Sequence, residues 1–134
     1  ILTAKGRERA ERVVRRHRLV ERLLTDFMGY TAAEAHVHAD EIGESFSDDM
    51  IERISERLGH PDRCPHGWPV DTQFEQAENR ELAPLADLVP GTRAQIVRLA
   101  EKAAGEQACF ARLDELLAAE AALIRSLPIR PRVH

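Results

Sequence analysis

The stretch from Thr3 to Gly29 constrains this chain more than any other. Its apolar residues Ala10, Val13, Val14, Val20, Leu24, Phe27 and Met28 recur at steps of three and four, with His17 in the same stripe. That recurrence is the helical period, and it predicts one long helix with a wide apolar side. Thr3 offers a side-chain oxygen to the first turn, and Gly29 supplies the stop. Within the run, His17 and Glu21 lie four residues apart, so both side chains leave the same helix face one turn apart.

A helix with one apolar side needs partners, and the following residues supply them. Thr31-Ala32-Ala33-Glu34 is a capping box, opening a helix with Ala32, Ala35, Ala39 and Ile42 on one side. Ser47 with Asp48 and Asp49 starts a third helix through Met50, Ile51, Ile54 and Leu58, ended by Gly59. Aromatic residues are scarce, so the core is built from Leu, Ile, Val and Ala, which favours helices over a β-sandwich. The 134 residues suit one domain, or one domain with a small appendix. The net charge of −4 gives no global field for nucleic acid, so DNA contact requires a local patch or a segment elsewhere.

From His60 to Pro69 the text changes to HPDRCPHGWP, a rigid irregular loop. Residues 71–83 are polar and acidic and read as a linker. A second, smaller unit begins at Leu85, with a turn at Pro90-Gly91. Arg93–Ala100 is suited to a strand, with Ala94, Ile96 and Val97 facing a core. Arg112–Leu127 reads as helix on propensity. Cys64 and Cys109 are expected as reduced thiols in the cytoplasm, Cys109 within a core. No apolar run approaches the ~18 residues of a membrane span. The chain opens on Ile1 rather than Met, so its amino end is expected not to be the natural start.

The chemistry-bearing residues cluster. His17 with Glu21 is, alone, a common hydrogen-bonded pair; a short Gly-Tyr-Thr connection can bring His36 beside it. Two imidazoles and a carboxylate suit first-row divalent ions. His36, Asp40 and Glu44 share one face at successive four-residue steps, which reads either as ligands or as a solvated acidic face. His38 and Glu41 point away. Cys64-Pro-His66 alone is weak as a zinc motif and reads as a structural corner with a small buried thiol. The cations Lys5, Arg7, Arg9, Arg12, Arg15, Arg16 and Arg18, interrupted by Glu8 and Glu11, form a solvated face able in part to touch phosphates. There is no G-x-S-x-G, phosphate loop, H-E-x-x-H or repeated E-x-x-H, so no enzyme is expected.

The segments LTAKGRERA, RRHRLVERLLTDFMG, AHVHADEI, SDDMIERI and CPHGWP, in this order, resemble the diphtheria toxin repressor and iron-dependent regulator family, which includes manganese-dependent members. The likeness covers residues 1 to about 70. LTAKGRERA is similar to the end of a winged helix-turn-helix, and RAQIVRLAEKAAGEQACFARL to the opening of the family's SH3-like domain. The resemblance implies a mainly α fold. It places a helical metal-binding and dimerisation domain at 1–70, a linker at 71–84 and an SH3-like β domain at 85–134.

It further implies an ancillary metal site of His17, Glu21, His36 and Glu101, with Ala104 replacing a Gln that the family uses. At the family's primary site Asp40 holds a ligand position, while Gly43 and Glu44 stand where a Glu and a His belong. The implied function is the metal-sensing, homodimerising portion of an iron- or manganese-dependent transcriptional repressor. Operator DNA is read by a winged helix expected outside these residues. Fe2+ or Mn2+ is the implied ion, with Zn2+, Co2+ or Ni2+ able to substitute in vitro. Leu23, Phe27, Ile51 and Ile54 are the expected dimer seam. The implied setting is cytoplasmic, with neither a membrane nor a small organic substrate as partner. A metal-binding accessory or buffer without DNA binding is the alternative, and a divalent-metal enzyme on Asp40 and Glu44 a lesser one.

Overall fold

A computed structural model describes residues 3–99 and 122–126. Helix α1 spans Ala4–Met28; the Thr3 hydroxyl accepts from the Gly6 amide at 3.0 Å, and Gly29 closes the helix at φ 72°. Helix α2 spans Ala32–Ile42 behind the complete Thr31/Glu34 capping box, and a 3-10 turn at Gly43–Ser45 follows it. Helix α3 spans Asp48–Arg57, its first turn capped by the Ser47 side chain and flanked by two aspartates that favour a helix amino end.

Leu19, Val20 and Leu24 of α1 pack with Ala35 and Ala39 of α2, Ile51 of α3 and Val70. Burying each large aliphatic side chain of this set stabilises the fold by about 1.5–3 kcal/mol. The two alanines matter for function: with only a methyl at each, α2 lies close on α1. His36 and Asp40, each one position further along, arrive beside His17.

The expected apolar assignments need correcting in places. Val20 and Leu24 are buried, but Val13, Phe27 and Met28 are 45%, 63% and 61% exposed, because α2 and α3 cover only the middle of α1. Ile42 is also exposed. Ile51 is buried in the core and is not available to a dimer seam as expected, whereas Ile54 packs against the core but stays half-buried.

The loop after α3 closes on itself. The Cys64 amide donates to the Trp68 carbonyl at 2.8 Å, the Gly67 amide to the Cys64 carbonyl at 2.9 Å, and Arg63 bridges to Pro69. Within the span read as a linker lie a 3-10 turn, Thr72–Phe74, and the short helix α4, Glu75–Asn79. Strands β1 (Ala83–Pro84), β2 (Ala94–Leu99) and β3 (Ala122–Ser126) form an antiparallel sheet in the order β1-β3-β2.

The helix expected over Arg112–Leu127 is overturned at Ala122–Ser126. These residues pair with both neighbouring strands, and tertiary pairing outweighs helix propensity; the rest of that span lies outside the described residues. Strand β2 forms where expected, but its inward set differs: Ile96 is 45% exposed and Arg98 only 1%. A register shift between Ile96 and Arg98 is the reason, since an extra residue reverses which face the next side chain takes.

Arg98 lies over the Trp68 ring at 4.8 Å and donates from Nε to Glu78 Oε1 at 3.2 Å. The loop and β2 are zipped together: the Leu99 amide donates to the His66 carbonyl at 2.9 Å, and Trp68 Nε1 to the Leu99 carbonyl at 2.7 Å. At Gly67, with φ 88°, an added Cβ would stand 1.9 Å from the Val97 carbonyl oxygen, so only glycine permits this approach. No helix among the described residues is long and apolar enough to cross a membrane.

Candidate metal centre

The centre forms where α1, α2 and the loop meet. His17 Nε2 stands 2.7 Å from Glu21 Oε1, one helical turn away. His36, in the first half of α2, brings Nδ1 to 3.2 Å from His17 Nε2, with the ring centroids 4.9 Å apart and edge-to-face. Asp40, one turn further along, lies 3.4 Å from His17 Nδ1 and 3.6 Å from His36 Nε2. Donor atoms of His17, His36 and Asp40 fall within 4.8 Å of one another. The helix hairpin thus brings together four of the expected ligands.

The loop adds two groups that the sequence reading set aside. His66 Nδ1 lies 3.2 Å from Glu21 Oε2, and Glu21, Cys64 and His66 place one donor each within 4.8 Å. All three are buried, Glu21 completely. The loop is drawn onto α1 by arginines of that helix: Arg18 donates to the Pro69 carbonyl at 2.6 Å and Arg22 to the Arg63 carbonyl at 2.9 Å. The Cys-x-His spacing was the one available signal; that it would fold back onto Glu21 depended on those long-range bonds. Cys64 does occupy the buried corner expected of it.

Electrostatics single out Glu21. Burial alone would raise its carboxyl, but hydrogen bonding with the His17 and His66 rings, which close on it at 2.7 and 3.2 Å, outweighs burial and holds it at about 2. Despite the short distances, neither carboxylate oxygen nor His66 Nδ1 meets hydrogen-bond geometry with any of the described residues. A buried carboxylate whose hydrogen bonds are poorly directed is costly. Imidazole nitrogens and carboxylate oxygens converging this closely present lone pairs to a common space, which a divalent cation satisfies. The residues present fit such an ion.

The remaining expected ligands stand apart. Glu44 is exposed and lines a groove of about 330 Å³ with Arg9, Arg12, Val13 and Arg16, and it joins neither donor set. Gly43 is buried, with nothing within 4 Å of the position a Cβ would take. Glu101 and Cys109 lie outside the described residues.

Comparison with known proteins agrees with this geometry. Residues 3–72 match the model of the iron-dependent repressor metal-binding and dimerisation domain. The chain is 34% identical over 103 residues to the iron-dependent repressor IdeR of Mycobacterium leprae, covering 72% of this chain and 45% of that protein. It is 36% identical over 92 residues to the diphtheria toxin repressor of Corynebacterium diphtheriae, covering 69% and 39%. Among solved structures, a manganese-dependent transcriptional repressor in complex with manganese superposes with a TM-score of 0.66 at 33% identity, covering 75% of this chain and 47% of that one. The chain therefore spans less than half the length of these curated relatives. With its long helix, its helical hairpin and the small sheet behind them, this chain belongs to the iron-dependent repressor metal-binding and dimerisation family.

Proposed function

We propose that this chain is the metal-sensing, dimerising portion of a metal-dependent transcriptional repressor. The observation that carries the reading is the fully buried Glu21 carboxylate, set among imidazoles from three separate segments that approach it closely but with poorly directed hydrogen bonds. His17, Glu21, His36 and Asp40 hold the ion, Fe2+ or Mn2+ by analogy with the names of the relatives. Glu101, two residues beyond the end of β2, completes the set from the carboxyl-terminal unit. Asp40 is thereby drawn into this set and away from the family's primary position, where Glu44 stands apart and Gly43 offers no ligand.

A divalent ion supplies positive charge that ties α1 to α2. Its binding free energy shifts a population of conformations and performs no chemistry on a substrate. The exposed Phe27 and Met28, with half-buried Leu23, close a twofold seam at the carboxyl end of α1. Operator DNA is read by a winged helix outside these residues, at the spacing that a dimer sets. The setting is the cytoplasm, and no small organic substrate is involved.

Metal titration by calorimetry tests the site. His17→Ala removes most of the binding while the helical ellipticity stays unchanged, and acid weakens affinity in the parent because protons compete with the ion for the imidazole nitrogens. Unchanged stoichiometry and affinity in His17→Ala would overturn the assignment.

A further inference from the structure

A groove outside the metal centre follows the amino-terminal half of α1. Arg9, Arg12, Val13 and Arg16 line it from the helix and Glu44 from the turn after α2, around a space of about 330 Å³. Steps of three and four residues put the three arginines on one helix face. The metal reading uses none of them, and Glu44 belongs to neither donor set.

The cations of this groove are only partly paired. Arg15, outside it, meets Glu52 at 2.7 Å, and Arg16 donates from Nη2 to Asp48 Oδ1 at 3.2 Å. Arg12 comes no nearer to the same aspartate than 3.9 Å, too far for a hydrogen bond. Arg9 has neither an ion pair nor a hydrogen bond among the described residues, and Arg16 Nε is buried without a partner there. A guanidinium carries several N–H donors in a fixed fork that matches an oxyanion. Most of the donors on this wall therefore have no acceptor among the described residues.

The surroundings select the size of the anion. Two adjoining grooves share these arginines and are edged by acids, Asp48 and Glu52 in one and Glu8, Glu11 and Asp71 in the other. A nucleic-acid duplex laid along the helix would meet those acids, whereas a small anion stays within the first groove. Glu44 selects its chemistry. A carboxylate there repels an aprotic dianion such as sulfate, but accepts a hydrogen bond from an anion that carries its own O–H.

We propose that this groove binds inorganic phosphate in its protonated forms: Arg9, Arg12 and Arg16 donate to the phosphoryl oxygens, and Glu44 accepts from the P–O–H group. The bound anion ties α1 to the turn after α2 and, through the Arg16–Asp48 pair, to the first turn of α3. It is a ligand site separate from the metal donors, on the same helical frame.

Calorimetric titration of the full chain with phosphate and with sulfate is the test, at neutral pH and constant ionic strength, on protein freed of metal by dialysis against a chelator. One equivalent of phosphate binds saturably, and sulfate binds about tenfold more weakly because it has no proton to give Glu44. Arg12→Gln, at an exposed position, weakens phosphate about tenfold with the helical ellipticity unchanged. Glu44→Gln, also exposed, brings the two anions to within about twofold, since an amide donates as well as accepts. A short DNA duplex leaves the bound phosphate in place.

Absence of saturable phosphate binding overturns the site. Equal affinity for sulfate in the parent means an unselective cationic surface, and a preference that survives Glu44→Gln takes the carboxylate out of the account; either result overturns the proposal. Unchanged affinity in Arg12→Gln puts the anion elsewhere on the chain. Displacement of phosphate by the duplex makes this face a nucleic-acid track and overturns the proposal as well.

Discussion

The three-helix region and the loop-and-sheet region behind it are held together by different physics. In the first, Leu19, Val20, Leu24, Ala35, Ala39 and Ile51 exclude water, and charged side chains other than the buried Arg18 and Glu21 sit at the rim. In the second, the most buried large side chain is a cation, Arg98, stacked on Trp68 and bonded to Glu78 and Asn79, while Arg63 forks onto Glu78 at 2.8 and 2.6 Å. Arg18 spans the two regions, reaching Glu75 Oε2 at 3.1 Å from α1. The apolar region supplies a stiff frame. The ionic region is specified by pairing geometry, and removing one member leaves its partners buried without compensation. The candidate metal centre lies on the seam, where two imidazoles and two carboxylates of the frame meet a thiol and an imidazole of the loop.

The sharpest way to break this contrast is to damage the frame. Leu19 is fully buried at the centre of the helical core, and Leu19→Ala is expected to destabilise the chain by about 3–4 kcal/mol through lost transfer energy and a residual cavity. Because Arg18 and Arg22 of the same helix hold the loop, Trp68 fluorescence and helical ellipticity should shift together in urea. Separate midpoints would show that the loop and sheet stand without the frame.

The reverse experiment is smaller and local. Arg98→Ala removes a cation–π contact and leaves Glu78 and Asn79 short of a donor, a loss of about 2–3 kcal/mol. It should lower the midpoint read by Trp68 and speed amide exchange in β2, with the ellipticity midpoint nearly unmoved. An equal shift in both signals would mean that one cooperative unit covers the chain and the contrast has no thermodynamic meaning.

The same contrast explains what could be read from the sequence. The frame is local: Thr3, the Thr31/Glu34 box, Ser47 and Gly29 act within a turn of themselves, and each sits where expected. His17, Glu21, His36 and Asp40 followed, because a short hairpin leaves two helices few ways to pack. His66 was set aside because its partner, Glu21, lies on the first helix and the loop is drawn back by Arg18 and Arg22, contacts with no local signature. Arg98 and Ile96 exchanged places because one bulge reverses alternation, and alternation was the whole basis of that reading. Ala122–Ser126 is strand because its partners are remote in sequence, and propensity carries no information about them. Ile51 was assigned to a seam because an apolar side chain looks the same in a core as in an interface.

The mildest probe is acid, applied with metal removed by a chelator. The Arg63 hydrogen bonds lower the Glu78 carboxyl, more than burial raises it, and the charges of Arg63 and Arg98 add to the effect. A carboxylate lowered on folding stabilises the fold fully above its unfolded value, about 4.3, and that contribution disappears as pH falls toward the folded value. Arg63 is raised in turn, chiefly by its hydrogen bond to Glu78, and stays charged throughout the range. Glu21, held at about 2, keeps its charge to more acid pH than an ordinary carboxylate. Stability read by Trp68 in urea should therefore decline below about pH 4.3, and Glu78→Gln should flatten that decline while lowering stability at neutral pH. A slope unaltered in the variant would place the acid sensitivity of this region elsewhere, and the ionic account of how the sheet is held would lose its main support.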